Sequence, residues 1–245
     1  MALVFDITSE YAMFRKFYTT TSSISYPFPP PTAIGGLIAA IIGEENEADK
    51  KAHFASYWNI LYDTKIAISL KSKIQWYTTS INFWNYKEPK KAIHNIIKHQ
   101  FVKNPSYRIF VEGPIEEKLK PYLESGQFIF TPYLGTAYSL AKISYIGSFT
   151  PKKIEKEKVS IKSLIPVDFK PDINLKETQG IFKDIVPLQM DSERNLVRSI
   201  TVFYPANVEN GIIVENPEKV GAVCVGEDNI VWLPKWEKEP SKKIT

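Results

Sequence analysis

The chain has 245 residues, 44% of them hydrophobic and 24% charged, which is the balance of a soluble globular protein long enough to bury a real core. Its single cysteine, Cys224, excludes an internal disulfide, and its longest apolar stretch, residues 34–42, falls short of the roughly 20 residues that cross a bilayer. No basic-then-apolar secretory signal opens the chain, so a cytoplasmic protein with no membrane partner is expected.

Residues 2–7 form an apolar run that predicts a first strand covered on both faces. Residues 8–31 read as irregular, and the triplet Pro29-Pro30-Pro31 forces extended backbone there. Thr32 is the expected N-cap of a helix over residues 33–42, which Gly43 stops. Residues 48–62 read as a helix, 65–70 as a strand, 71–106 as an extended hairpin-like excursion and 107–111 as the next strand. A helix over 115–124 and strands over 128–130 and 141–149 follow. The order strand, helix, strand, strand, helix, strand over residues 1–150 is the ferredoxin-like βαββαβ pattern of an α+β fold. After a lysine-rich link, short β-like runs at 161–167, 200–204, 211–215, 221–225 and 229–233 predict a small β-rich unit over 151–245. Cys224 is expected to be a buried strand thiol there, with a frayed tail from Lys235 onward.

The charge is unevenly placed. The net charge of the chain is +4, yet residues 64–108 carry nine cations against one acid, Glu88. The cations are Lys65, Lys71, Lys73, Lys87, Lys90, Lys91, Lys98, Lys103 and Arg108, interleaved with Trp76, Tyr77, Phe83, Trp84, Tyr86, Phe101 and Tyr107. Cations neutralise phosphates, and aromatic faces stack on unpaired bases, so the stretch fits single-stranded nucleic acid better than a duplex. The plainer reading is a solvated hairpin whose rings belong to a core.

A second cluster is Phe14-Arg15-Lys16-Phe17-Tyr18-Thr19-Thr20-Thr21-Ser22-Ser23, leading to a helix whose first turns carry Gly35-Gly36. Helix N-termini and hydroxyls donate to phosphate, and glycines permit close backbone approach. A tight loop packed on the sheet explains the same residues. Catalytic signals are thin. The three histidines, His53, His94 and His99, form no metal motif, the chain has no cysteine pair, and the glycines lack the Lys-Ser or Lys-Thr of a phosphate-binding loop. No metal or cofactor is implied.

The run Glu10-Tyr11-Ala12-Met13-Phe14-Arg15-Lys16-Phe17-Tyr18-Thr19-Thr20-Thr21, with Tyr26-Pro27-Phe28-Pro29-Pro30-Pro31-Thr32-Ala33-Ile34-Gly35-Gly36-Leu37-Ile38-Ala39-Ala40-Ile41-Ile42-Gly43, resembles the CRISPR-associated protein 5 family of the RAMP superfamily in its type I-B form. Pro132-Tyr133-Leu134-Gly135-Thr136 is similar to a second segment of that family. The resemblance covers residues 1–150 and implies a ferredoxin-like (RRM-like) core with a protruding thumb hairpin, here residues 71–106. It implies a non-catalytic subunit of a Cascade effector complex that binds the 5′ handle of the guide RNA (crRNA). Its neighbours would be the first backbone subunit and the large subunit, and target DNA would be met only through the guide. The residues expected at the RNA are Arg15, Lys16, Tyr18, Thr19, Thr20, Ser22, Gly35, Gly36, Gly135 and Thr136, with Lys71, Lys73, Trp76, Trp84, Lys87, Lys90, Lys91 and Arg108 along the thumb.

Two other readings stay open. One branch of the family cuts its own guide precursor, and a metal-independent endoribonuclease here would use Lys98 and His99 with Tyr77 or Tyr107. A protein-interaction module would turn the basic stretch toward an acidic partner.

Overall fold

The computed structural model describes residues 1–19, 23–44, 55–84 and 94–238. Thr20, Ser22, Lys87, Lys90, Lys91, His53 and residues 48–54 of the helix expected over 48–62 lie outside the described residues; in the remainder of that helix only Trp58–Leu61 forms a single helical turn.

Four antiparallel strands form the central sheet: β1 (Ala2–Thr8), β2 (Lys65–Leu70), β5 (Ser106–Glu112) and β6 (Lys142–Phe149). Their spatial order is β2-β5-β1-β6, which is the ferredoxin-like order. Two helices, α1 (Pro31–Ile42) and α2 (Glu116–Ser125), complete the βαββαβ core. The excursion between β2 and β5 is a two-stranded hairpin, β3 (Trp76–Trp84) and β4 (His94–Lys103). Near the C-terminus a second long hairpin joins β7 (Ile181–Met190) to β8 (Leu196–Pro205).

The unbroken apolar run of β1 follows from its position. Leu3, Phe5 and Ile7 enter the main core, with Ile34, Ile38 and Ile41 of α1. Ala2 and Val4 enter a second cluster on the other face with Phe110, Val225 and Ile230. A strand covered on both sides has no reason to alternate.

Helix α1 starts two residues earlier than expected. Pro30, extended at ψ 156°, is its N-cap in place of Thr32, and Pro31 opens it, since the fixed proline φ suits the first helical position. Gly43 ends it at φ 80° as expected. No strand forms over 128–130. Instead the Ile129 and Phe130 amides donate to the Ile41 and Ala40 carbonyls at 3.2 and 3.0 Å, satisfying helix-end acceptors that would otherwise be orphaned.

The main core draws side chains from both sides of residue 150. Val186, Leu188, Ile200, Val202 and Tyr204 share it with Phe28 and Trp58. Trp236 is buried in the same cluster, edge-on to Trp58 at 5.5 Å and donating to the Leu188 carbonyl at 2.7 Å. The tail is therefore anchored at Trp236, where fraying was expected from Lys235. Cys224 lies in a strand as expected, but is only half-buried.

Candidate nucleic-acid interface

The β3–β4 hairpin pairs without a bulge from Trp76↔Val102 to Trp84↔His94, so its side chains divide cleanly between two faces. One face carries Trp76, Trp84, His94, Ile96 and Lys98. The other carries Tyr77, Phe83, His99 and Phe101. Exposed rings are unusual on a two-stranded ribbon, yet Trp76, Tyr77, Phe83 and Trp84 are 41–55% exposed and Ile96 is 71% exposed. Lys71 and Lys73, at the entry to the hairpin, and Lys98 and Lys103, along β4, are also exposed. These rings and cations share one projecting arm.

The other two described cations of the basic stretch are each paired with acids of the fold. Lys65 pairs with Glu112 at 3.3 Å. The Arg108 guanidinium donates to both oxygens of Asp6 (2.7 and 2.8 Å) and to Asp228 (2.8 Å). The Asp6 hydrogen bonds, opposed by burial and reinforced by Asp228, hold its proton above the ordinary arginine range. Arg108 thus ties the sheet to the C-terminal segment and does not join the arm.

The N-terminal cluster is likewise committed to local structure. Phe14–Arg15 pairs with Ser25–Tyr26 as a short ribbon. Lys16 Nζ donates to Asp184 of β7 at 2.6 Å and lies 5.3 Å from the Tyr26 ring centroid. Burial works to lower the Lys16 pKa, but hydrogen bonds with Asp184 and Tyr18 and the Asp184 charge outweigh it and raise the value. Arg15 is exposed, with Nη2 donating to the Thr19 carbonyl at 2.9 Å. Tyr18 is exposed, and Thr19 Oγ1 donates to the Lys16 carbonyl at 2.8 Å.

The glycines have packing roles. A Cβ on Gly35 would sit 3.1 Å from Trp58 and 3.2 Å from Leu61, while Gly36 faces the Tyr57 hydroxyl. Gly135, at φ 85°, would place a Cβ 2.0 Å from the Met13 carbonyl oxygen, so only glycine lets this loop close on residues 13–14. Thr136 and Ser139 share a hydrogen bond of 2.9 Å across the same loop.

That loop forms one wall of a groove the sequence did not reveal. Tyr138, Ser139 and Leu140 face Tyr77, Thr79, Ile81 and Phe101 of the arm, with Ser9, Glu10 and Tyr11 at the end, enclosing about 500 Å3. Tyr77 was visible among the aromatics of the basic stretch, but no local pattern ties residues 9–11, 77–81 and 138–140 together.

The residues of the nuclease reading are separated. Lys98 and His99 are neighbours in one strand and so point to opposite faces. His99 is buried, its ring stacked 5.4 Å from Phe83 and 6.1 Å from Phe101, with Nδ1 3.1 Å from the Ile97 carbonyl. Tyr107 is fully buried and donates to the Pro27 carbonyl at 2.8 Å; burial raises its pKa far above the tyrosine range. Among the described residues no cluster of three or more His, Cys, Asp and Glu is placed to hold a metal, and no helix is long and apolar enough to cross a membrane.

A βαββαβ sheet with a long hairpin inserted between its second and third strands defines a ferredoxin-like protein. The chain belongs to the CRISPR-associated protein (Cas_Cas5) family, whose model matches residues 2–214. Among solved structures it is similar to a chain of a CRISPR RNA-guided surveillance complex, with TM-score 0.54 and 12% identity over 84% of this chain and 90% of that one. It is also similar to a chain of a type III-B Cmr-beta complex bound to cognate target RNA and AMPPnP, with TM-score 0.53 and 14% identity over 88% and 86%. At such identities the likeness is one of fold. No curated protein sequence matches the chain significantly.

Proposed function

We propose that this protein is the guide-RNA-holding subunit of a cytoplasmic type I (Cascade) effector complex, gripping the 5′ handle of the guide between its arm and the adjoining loops. It would contact the backbone and large subunits and meet target DNA only through the guide. The observation that carries this reading is the arm itself. Four exposed rings and the exposed Lys71, Lys73, Lys98 and Lys103 project from a fold that needs none of them for its core. Such a surface suits an unpaired strand, with phosphates on the lysines and bases on the rings. Membership of a CRISPR-associated family gives that strand its nature.

A holding role is favoured over cleavage. The His99 ring is stacked into the arm and Tyr107 is sealed in the core, so neither is free to reach a scissile phosphate. Arg15 pairs with Ser25, close after the Ser23 that bridges His99 of β4, and Arg15, Tyr18 and Thr19 remain handle-contact candidates. Lys16 would have to leave Asp184 to serve.

Fluorescence anisotropy of the full chain with labelled repeat-derived single-stranded RNA and duplex DNA of equal length tests the proposal. The expected result is tighter RNA binding, with log K falling linearly as log salt rises. Equal affinity for the duplex, or no binding to either, overturns it.

A further inference from the structure

Among the described residues an acid, Glu10, stands at the root of the cationic, aromatic arm. Glu10 lines the groove at the root of the arm together with Tyr11, Tyr77, Phe101, Tyr138 and Leu140. The Tyr11 ring lies 5.5 Å from Tyr77 and 6.1 Å from Phe101, and Tyr138 lies 6.2 Å from Phe101. Tyr77 and Tyr138 remain 44% and 63% exposed, so both side chains are accessible to a guest. The backbone at Glu10 is fixed, because its carbonyl accepts from the Asn104 amide at 2.8 Å where the arm rejoins the core. Among the described residues its carboxylate has no hydrogen-bond or ion-pair partner.

A groove of about 500 Å3 is in the usual size range for a small-molecule site of roughly 300–1,000 Å3. Its chemistry narrows the guest. A carboxylate repels phosphate, so the groove does not hold the backbone of a strand. Its rings offer stacking, which suits a base. A carboxylate accepts hydrogen bonds and donates none. Of the four RNA bases, guanine alone presents two adjacent donors, N1–H and the N2 amino group, which match two carboxylate oxygens side by side. Adenine and cytosine present a single amino group beside a ring acceptor. Uracil presents one N–H flanked by carbonyl oxygens that the carboxylate repels.

We infer that this groove is a base pocket that takes one unpaired guanine of the bound RNA, stacked on the tyrosines and read at its edge by Glu10. The inference rests on the RNA-holding reading and adds base specificity to it. The guanine lies flat against Tyr77 or Tyr138, and its flanking phosphates pass outward to the lysines of the arm.

The test measures anisotropy of the full chain with labelled octauridylate and with the same oligomer carrying one central guanosine, inosine, adenosine or cytidine. Guanosine should bind about tenfold more tightly than uridine, the effect of one bidentate contact. Inosine, which lacks the N2 amino group, should fall between, and adenosine and cytidine should stay near uridine. Glu10→Gln should bring the guanosine-to-uridine ratio near one, and Tyr77→Ala should weaken every oligomer. If no oligomer binds, the RNA-holding proposal fails and this inference with it. If all bind equally, or the guanosine preference survives Glu10→Gln, RNA holding stands and the pocket assignment is wrong; equal binding would leave the groove to a basic side chain of a partner subunit.

Discussion

Lys16 and Asp184, 168 positions apart in the chain, meet in an ion pair of 2.6 Å that pins the N-terminal ribbon to β7. The pair is largely shielded, with side-chain exposures of 18% and 9%. A hydrogen bond to a charged group contributes about 1.5–3 kcal/mol, and removing one partner strands the other. Asp184→Asn and Lys16→Met should therefore each lower unfolding stability by about 2 kcal/mol, read from denaturant midpoints. The double variant should cost little more than either single one, because both remove the same contact. Fully additive losses would show that the two side chains act apart.

The arm makes the opposite prediction, with affinity lost and stability kept. Lys71 and Lys73 are exposed, so their replacement by Ala should leave the melting temperature within about a degree of wild type. RNA binding should weaken, and the slope of log K against log salt should fall by about 1.4, since each phosphate contact on a single strand contributes about 0.7. Trp76→Ala and Trp84→Ala should cost about 1–3 kcal/mol of binding per stacked base with little change in that slope. An unchanged slope in the lysine variant would place the RNA path elsewhere.

Gly135 has a structural job that governs the groove. Ala there would meet the Met13 carbonyl at 2.0 Å and would hold a left-handed φ that costs about 1–2 kcal/mol by itself. The loop bearing Tyr138 must shift to relieve the clash. Gly135→Ala is expected to lose more than 2 kcal/mol of stability and to weaken RNA binding together, whereas Gly126→Ala, with nothing within 4 Å of the added Cβ, should lose only the left-handed φ penalty and keep RNA affinity. Equal affinity for RNA in both variants would separate this loop from the binding surface.

The ferredoxin-like order was legible because its signals are local: an apolar run for β1, a glycine stop for α1, and cations with rings on one continuous segment. What escaped depends on distance or on tertiary demand. Strand β7 is hidden by Pro187, which sits at a register shift where a missing amide costs nothing. Arg108 read as a phosphate contact because Asp6 and Asp228 lie 102 and 120 positions away. Gly35 read as a backbone gap for a ligand, but the space is filled by Trp58. Residue type announces a cation or a small side chain; only the fold decides what stands opposite.

The buried phenols give the fold a pH limit of definite sign. Burial raises the pKa of Tyr26, Tyr107 and Tyr204 above the usual value near 10, in Tyr204 up to about 12. In the unfolded chain these groups ionise near pH 10, while in the fold they keep their protons. Stability is thus fully present below about pH 10 and is lost as pH rises through the folded values. Lys16, also raised, adds in the same direction from about pH 10.5. Each group contributes up to about 1.4 kcal/mol per pH unit within that window. Guanidinium midpoints at pH 9, 10 and 11 should fall progressively, with full activity in RNA binding retained at pH 9. Tyr107→Phe gives up its bond to the Pro27 carbonyl and should be about 1 kcal/mol weaker at pH 9, yet lose less between pH 9 and 11 than wild type does. A wild-type midpoint that does not move over this range, or an equal drop in Tyr107→Phe, would mean that these hydroxyls are already reached by solvent in the native protein.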